Sequence, residues 1–354
     1  MASYSRRGSR EFNERLDRML QELGGEIAGA VGQEALAVLL GGGYGRGEGA
    51  CVEVDGQERP YNDLDLFLVI EDPAKARIPQ LVVGRRQMIL GSLEPICKRW
   101  EERLHIDVDI GRPLYESELS ALPHELMWFD LFHGYTVIWG PADVLERNAP
   151  PWVSFSPPPL EAARLMLNRG SGLLQAIHYA ATGSPPPDPD FVRRNYYKCL
   201  LAFGDAWLLS AGTYTTQLSL RLGRFEALAQ GGVVAMGLHG GQGLHGGQGL
   251  QGGEALHALV RDLYHRAIEF KEKPDAFSQD QMEPDQLTET ATIWVDLFLK
   301  FEVSRCRRTW DSPKHYQRDP FIREPLQHVG VNVLRNLLQN LRRGKLSLHY
   351  PREE

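Results

Sequence analysis

The sequence predicts a mixed-sheet α/β domain followed by an all-helical bundle. Three observations carry that expectation. Apolar runs of strand length alternate with helical periodicity through residues 1–148. A proline-dense stretch, APPWVSFSPPP at 149–159, then interrupts the pattern and reads as a stiff, extended linker. Almost everything in 160–354 repeats its apolar residues at helical spacing. The chain has 354 residues, enough for two domains, and its 42% apolar and 24% charged content excludes a disordered or fibrous protein.

The first element is an amphipathic helix from about Arg10 to Val31, with Phe12, Leu16, Met19, Leu20, Leu23 and Ile27 at three- and four-residue steps. The run ALAVLL at 35–40 reads as a buried strand that ends in a glycine-rich tight turn. Asp63–Ile70 is the next strand, and before it Asp55-Gly56 signals a small hairpin within 53–61. A helix over 78–104 leads to a third strand at His105–Ile110. A helix near 124–131 precedes a last strand at Tyr135–Trp139. Beyond the linker, helices are expected over 160–182, 190–212, 214–229, 254–273, 285–310 and 324–343. Between the third and fourth of these, GLHGGQ occurs at 237–242 and again at 243–248. Residues 231–253 are too glycine-rich to offset their ordering entropy and read as a disordered loop; His239 and His245 belong to that repeat rather than to a metal site.

Charge and composition narrow the partners. A net charge of −7 argues against a protein that coats nucleic acid, and basic clusters such as Arg305, Arg307 and Arg308 read as solvated helix faces. No window reaches the roughly 18 consecutive apolar residues that span a bilayer, so no membrane partner is expected. The basic N-terminal stretch lacks an apolar core and does not read as a secretory signal. Cys51, Cys97, Cys199 and Cys306 are far apart, which speaks against a disulfide framework or a cysteine zinc site and for a reducing cytoplasm. No G-x-S-x-G elbow or H-E-x-x-H pair is present, so serine-hydrolase and zincin chemistry are excluded. His105, His124 and His133 show no metal-ligand spacing.

The chemistry-bearing signal is acid inside apolar strands. In NDLDLFLVI, Asp63 and Asp65 alternate with leucines, so both point to one face with their Cα atoms about 6.6 Å apart. HIDVDI repeats the arrangement with Asp107 and Asp109. Ionised carboxylates crowded beside a core repel one another and lose hydration unless they are neutralised. Hard divalent cations do this, and Mg²⁺ in particular takes a few carboxylates together with substrate phosphates. An edge strand with its acids facing water is the plainer alternative. Directly after the first strand comes Gly42-Gly43-Tyr44-Gly45-Arg46-Gly47-Glu48-Gly49. Glycines let the backbone approach an anion closely, though the segment fits neither a P-loop nor a G-x-G-x-x-G fingerprint.

In this order, strand, Gly-Gly turn, Asp-x-Asp strand, helix and a further acidic strand, residues 35–112 resemble the DNA polymerase β-type nucleotidyltransferase superfamily, in particular its bacterial small-substrate members with a helical C-terminal domain. The resemblance implies an α/β (α+β) nucleotidyltransferase domain at 1–148 and a helical domain at 160–354. It implies transfer of a nucleoside monophosphate from an NTP to a hydroxyl of a small molecule or protein, with pyrophosphate leaving. Asp63 and Asp65 would hold two Mg²⁺ ions, with Mn²⁺ as a substitute. The third acid is Asp109 or Asp107, Asp109 being favoured because Gly111 and Pro113 end its strand. Gly42, Gly43 and Tyr44 would cradle the nucleotide. Arg46 would either touch a phosphate or pair with Glu48. One departure stands out: 19 residues separate Gly43 from Asp63, more than the superfamily's usual spacer.

The helical half offers one further candidate. The helix FVRRNYYKCLLAFGDAW at 191–207 is similar to helices in small-substrate nucleotidyltransferases and HEPN-like bundles, where a lysine points into the cleft. Lys198 would then contact the β/γ phosphates, a solvated surface lysine being the alternative, and Asp205 would position the helix through hydrogen bonds. A different class of function on the same fold is a nucleotide-binding regulator or antitoxin-like partner without turnover.

Overall fold

The computed structural model describes residues 3–72, 79–230, 253–310 and 312–318. Helix α1 (Arg10–Val31) starts at Ser9, whose hydroxyl accepts the Phe12 N–H at 3.0 Å. Its buried residues Phe12, Leu16, Leu20, Leu23 and Ile27 follow the stripe read from the sequence. Strand β1 (Ala35–Leu40) passes into α2 (Gly42–Gly45), a single helical turn where the glycines suggested only a tight bend. Strands β2 (Cys51–Val54) and β3 (Gln57–Pro60) form the expected hairpin, closed by Asp55 and Gly56 at φ 53° and 73°. Strand β4 (Asp63–Ile70) follows, then α3 (Pro79–Leu104), β5 (Asp107–Ile110), β6 (Leu114–Tyr115), α4 (Glu116–Leu119), α5 (Leu126–His133) and β7 (Thr136–Trp139).

The sheet runs β5-β4-β1-β7, with β6 also paired to β4. It is mixed: β4 pairs parallel with β5 and β6, whereas β1 pairs antiparallel with β4 and β7. Alternation gives each face its own core. Leu64, Leu66, Leu68 and Ile70 share one cluster with the buried faces of α1 and α3. Ala37, Leu39 and Val69 point the other way, to Leu131 of α5. Strand β5 opens two residues later than expected because His105 takes a left-handed φ of 58° while its N–H bonds the Glu101 carbonyl at 2.7 Å, closing the last turn of α3. Elements as short as β6 and α4 show no periodicity to read.

The proline-dense segment is not a free spacer. It contains a 3₁₀ turn at Pro151–Ser154, and the Trp152 ring stacks on His124 at 4.8 Å while its Nε1 donates to the Leu122 carbonyl at 2.6 Å. The helices after it are α6 (Leu160–Thr182), α7 (Phe191–Ser210), α8 (Leu218–Gln230), α9 (Gly253–Glu272), α10 (Pro284–Cys306) and α11 (Pro313–Arg318). Helix α8 begins four residues after the expected 214 because Thr213–Gln217 run irregularly to form the buried network described below. The expected helix at 324–343 lies outside the described residues, as does the repeat loop at 231–253 except for Gly253, which opens α9. Central in the bundle, α7 packs on α6, α8 and α9. A Cβ at Gly204 would fall 2.3 Å from the Tyr264 ring, so only glycine allows α9 this close. All four cysteines are free thiols, and among the described residues no helix is long and apolar enough to cross a membrane.

Candidate active site

Burying Leu64 and Leu66 beneath the sheet forces Asp63 and Asp65 onto the opposite face, where β4 begins. The parallel register sets Asp63 against Asp107 and Asp65 against Asp109, so the four carboxylates share that face. Crowding has the expected electrostatic effect. Burial first, then the neighbouring Asp63 carboxylate, raises the Asp65 carboxyl above the ordinary carboxylate range. Asp109 is raised in the same direction, by partial desolvation and then by Asp63 and Asp107. Asp63 also accepts a hydrogen bond from the Asn62 amide.

The glycine turn lies directly against Asp65. The Gly41 N–H donates to the Asp65 carbonyl at 2.8 Å, fastening the turn to β4. Gly42 has φ 59°, and a Cβ there would lie 2.0 Å from Asp65 Oδ2. Tyr44 is buried, and its hydroxyl accepts the Tyr61 N–H at 2.7 Å and donates to the Ala50 carbonyl, so it braces the hairpin. Arg46 resolves toward the salt bridge: its Nε lies 3.6 Å from Glu48 Oε2, both side chains being less than a tenth exposed. The same Glu48 carboxylate accepts the Leu218 N–H at 3.0 Å, at the start of α8.

Between this face and the bundle lies a cleft of about 660 Å³. Gly42, Gly43, Tyr44, Arg46, Asp63 and Asp65 line one side, and Lys198 of α7 lines the other. Asp107 and Asp109 share the acids' face but are exposed on β5 and do not line the cleft. Among the described residues, no three carboxylate, imidazole or thiol groups are grouped closely enough to hold a metal ion alone.

Sequence reasoning missed further cations lining the cleft, among them Arg169 of α6 and Lys271 of α9. Both extend buried stripes: Ala162, Met166, Arg169 and Leu173 on α6, and Val260, Tyr264, Ala267 and Lys271 on α9. A cation at a position where the stripe calls for an apolar residue was the available signal. Among the described residues Lys198, Lys271 and Arg169 have no carboxylate within ion-pair distance. Burial lowers Lys198 despite the opposing pull of Asp63, and burial followed by Arg46 and Arg221 lowers Lys271 to about 8.

Beneath the cleft a buried network joins the sheet to the bundle. Asp205 of α7 accepts from Arg221 at 2.7 Å and from the Tyr264 hydroxyl at 2.6 Å. Arg221 also donates to the Tyr214 hydroxyl at 2.7 Å, and that hydroxyl donates to Asp130 of α5 at 3.1 Å. Asp205 thus positions its helix as its sequence context suggested.

No protein-family model matches the chain, and no curated protein matches it. Among solved structures it is similar to a nucleotidyltransferase-like protein from Exiguobacterium sibiricum 255-15, over 82% of this chain and 92% of that one, at 13% identity and a TM-score of 0.22. So slight a likeness leaves the reading of the site to the chain's own residues.

Proposed function

We propose that the chain is a Mg²⁺-dependent nucleotidyltransferase that moves a nucleoside monophosphate from an NTP to an acceptor hydroxyl. One observation carries the reading: two strand-borne carboxylates, one of them packed against a glycine turn, line a cleft whose far wall presents cations with no carboxylate partner among the described residues. Asp63 and Asp65 fit a Mg²⁺ site completed by substrate oxygens, since Mg²⁺ commonly uses one or two carboxylates plus phosphates. Asp109, next in register, is the candidate third ligand or general base. When bound, the cation neutralises triphosphate charge and lowers the pKa of the acceptor hydroxyl.

The chain's own residues supply the rest. Lys198, Lys271 and Arg169 draw the β- and γ-phosphates across the cleft and stabilise the charge that collects on pyrophosphate as it leaves. Gly42, having no Cβ, lets the Asp65 carboxylate pack against the turn and so fixes its position in the cleft. The acceptor oxygen bonds to the α-phosphorus as the bond to the bridging oxygen breaks, and pyrophosphate departs with the electron pair. Residues 1–148 would supply the acids and 160–354 the cations, with 149–159 joining them.

The test is Mg²⁺-dependent pyrophosphate release from ATP, run with Asp63→Ala and Asp65→Ala. Each substitution is expected to lower the rate at least ~100-fold. Release that is unaffected by either change would refute the reading. The exposed position of Asp109 outside the cleft favours one other reading, a nucleotide-binding regulator on the same fold. That reading predicts ATP binding with no release of pyrophosphate.

A further inference from the structure

The hairpin of β2 and β3 stands apart from the main sheet, with only Cys51 packed against that sheet's core. Its strands pair only with each other, and such a ribbon is marginal alone. It is nevertheless held firmly: Glu58 accepts the Ser9 N–H at 3.0 Å, and the Tyr61 hydroxyl beside it bonds to Asp190 at the start of α7. Held there, the hairpin walls a second cavity of about 340 Å³, bordered on the other side by His105, Ile106 and Asp107 at the entry to β5. Tyr61, Asn62 and Arg194 border both this cavity and the main cleft, so the two meet beside Asp63.

Two features mark the second cavity as a site. Asn62 and His105, at φ 82° and 58°, are two of the four non-glycine residues with left-handed backbone among the described residues, and both line it. Backbone held in so sparsely populated a region clusters at ligand sites. Two of its charges also have no ion-pair partner among the described residues. Arg194 is tied to Asp188 at 2.8 Å, but among the described residues neither the half-buried Arg59 nor Asp107 has an ion-pair partner. Val52 and Ile106 supply apolar wall between them. The cavity therefore offers one cationic and one anionic contact, at the small end of the ~300–1,000 Å³ ligand range.

We infer that this second cavity is the acceptor site and that the acceptor is a small hydroxylated zwitterion of amino-acid size. The inference rests on the nucleotidyl-transfer reading and names the acceptor class that reading leaves open. The acceptor's anionic group pairs with Arg59 and its cationic group with Asp107. Because Asp107 is in register with Asp63, a ligand anchored there reaches the cleft with its hydroxyl. That oxygen bonds to the α-phosphorus, pyrophosphate leaves with the electrons of the broken bond, and the hydroxyl proton passes to water.

The experiment incubates the full chain with Mg²⁺ and α-³²P-labelled ATP, using L-serine, L-threonine and L-homoserine as probes. L-Alanine, which lacks the hydroxyl, and glycerol, which lacks the charges, serve as controls. Label is expected on at least one hydroxy amino acid and on neither control. Arg59→Ala, which removes the anion contact, and Val52→Trp, which fills the cavity, are each expected to raise the acceptor KM about 10-fold or more without changing the Kd for ATP. Labelling of glycerol as efficient as that of the zwitterions, or an acceptor KM unchanged in both variants, overturns the inference. So does an absence of labelled adduct while ATP is still cleaved slowly to AMP and pyrophosphate, a result that leaves the reading of the main cleft standing. Failure of ATP both to bind and to release pyrophosphate sinks that reading and the acceptor site with it.

Discussion

Gly42 is the residue at which backbone and chemistry constrain each other most tightly. An alanine methyl would lie 2.0 Å from the Asp65 carboxylate, and the left-handed φ of 59° costs an L-residue about 1–2 kcal/mol. Gly42→Ala is therefore expected to displace Asp65 and to lower pyrophosphate release ~100-fold, the scale of loss for a misplacement near 1 Å. Thermal denaturation and rate measurements on one preparation would separate this from unfolding. At Lys271 the controlling variable is pH. Burial first, then Arg46, Arg221 and Arg169, hold its ammonium down to about 8, with Asp205 opposing them. Only the charged form attracts phosphate, so ATP affinity should be full below pH 8 and fall as pH rises through it. Lys271→Met should abolish that step. An affinity flat from pH 7 to 9 in the unaltered protein would remove Lys271 from the phosphate wall.

Helix α7 shows how one element serves both core and cleft. Arg194, Lys198, Leu201, Asp205 and Leu208 follow one another at three- and four-residue steps, so charge and apolar bulk share a single stripe. Asp205→Ala would leave Arg221, only 3% exposed, without its counter-charge, and the loss expected in urea denaturation is about 3–5 kcal/mol. An unchanged midpoint would mean that Tyr214 and backbone carbonyls suffice for Arg221. Where an element was long and periodic, as in α1 or α6, the sequence alone placed it closely, because burial of one face dictates both pattern and length. The alternation that placed Asp63 and Asp65 on one face was equally local. Element ends were less legible: His105 shifts the start of β5 by a backbone conformation its side chain merely tolerates. Arg169 and Lys271 stayed hidden because pattern reading assigns a stripe position to the core. Nothing local says that two stripes, about a hundred residues apart, open onto one cleft.

Across the molecule, the cleft exists because the sheet and the bundle are joined around its rim. Tyr214 reaches Asp130, Tyr61 reaches Asp190, and Arg6 donates to Ser219 at 2.8 Å. Glu48 is the tightest of these junctions, with Arg46, Arg6 and the first amide of α8 all converging on its carboxylate. Exchanging it for glutamine keeps the shape but withdraws the negative charge, and weakening these contacts should lower stability by about 1–3 kcal/mol. Arg46, already at the cleft wall, would then be relieved of its internal counterion. Glu48→Gln should consequently melt earlier and yet grip polyphosphate several-fold harder, and isothermal titration with ATP beside a melting curve would reveal both. On the proposed reading, this carboxylate would temper the hold on a polyphosphate, trading tightness of grip for a sturdier frame and an easier letting go.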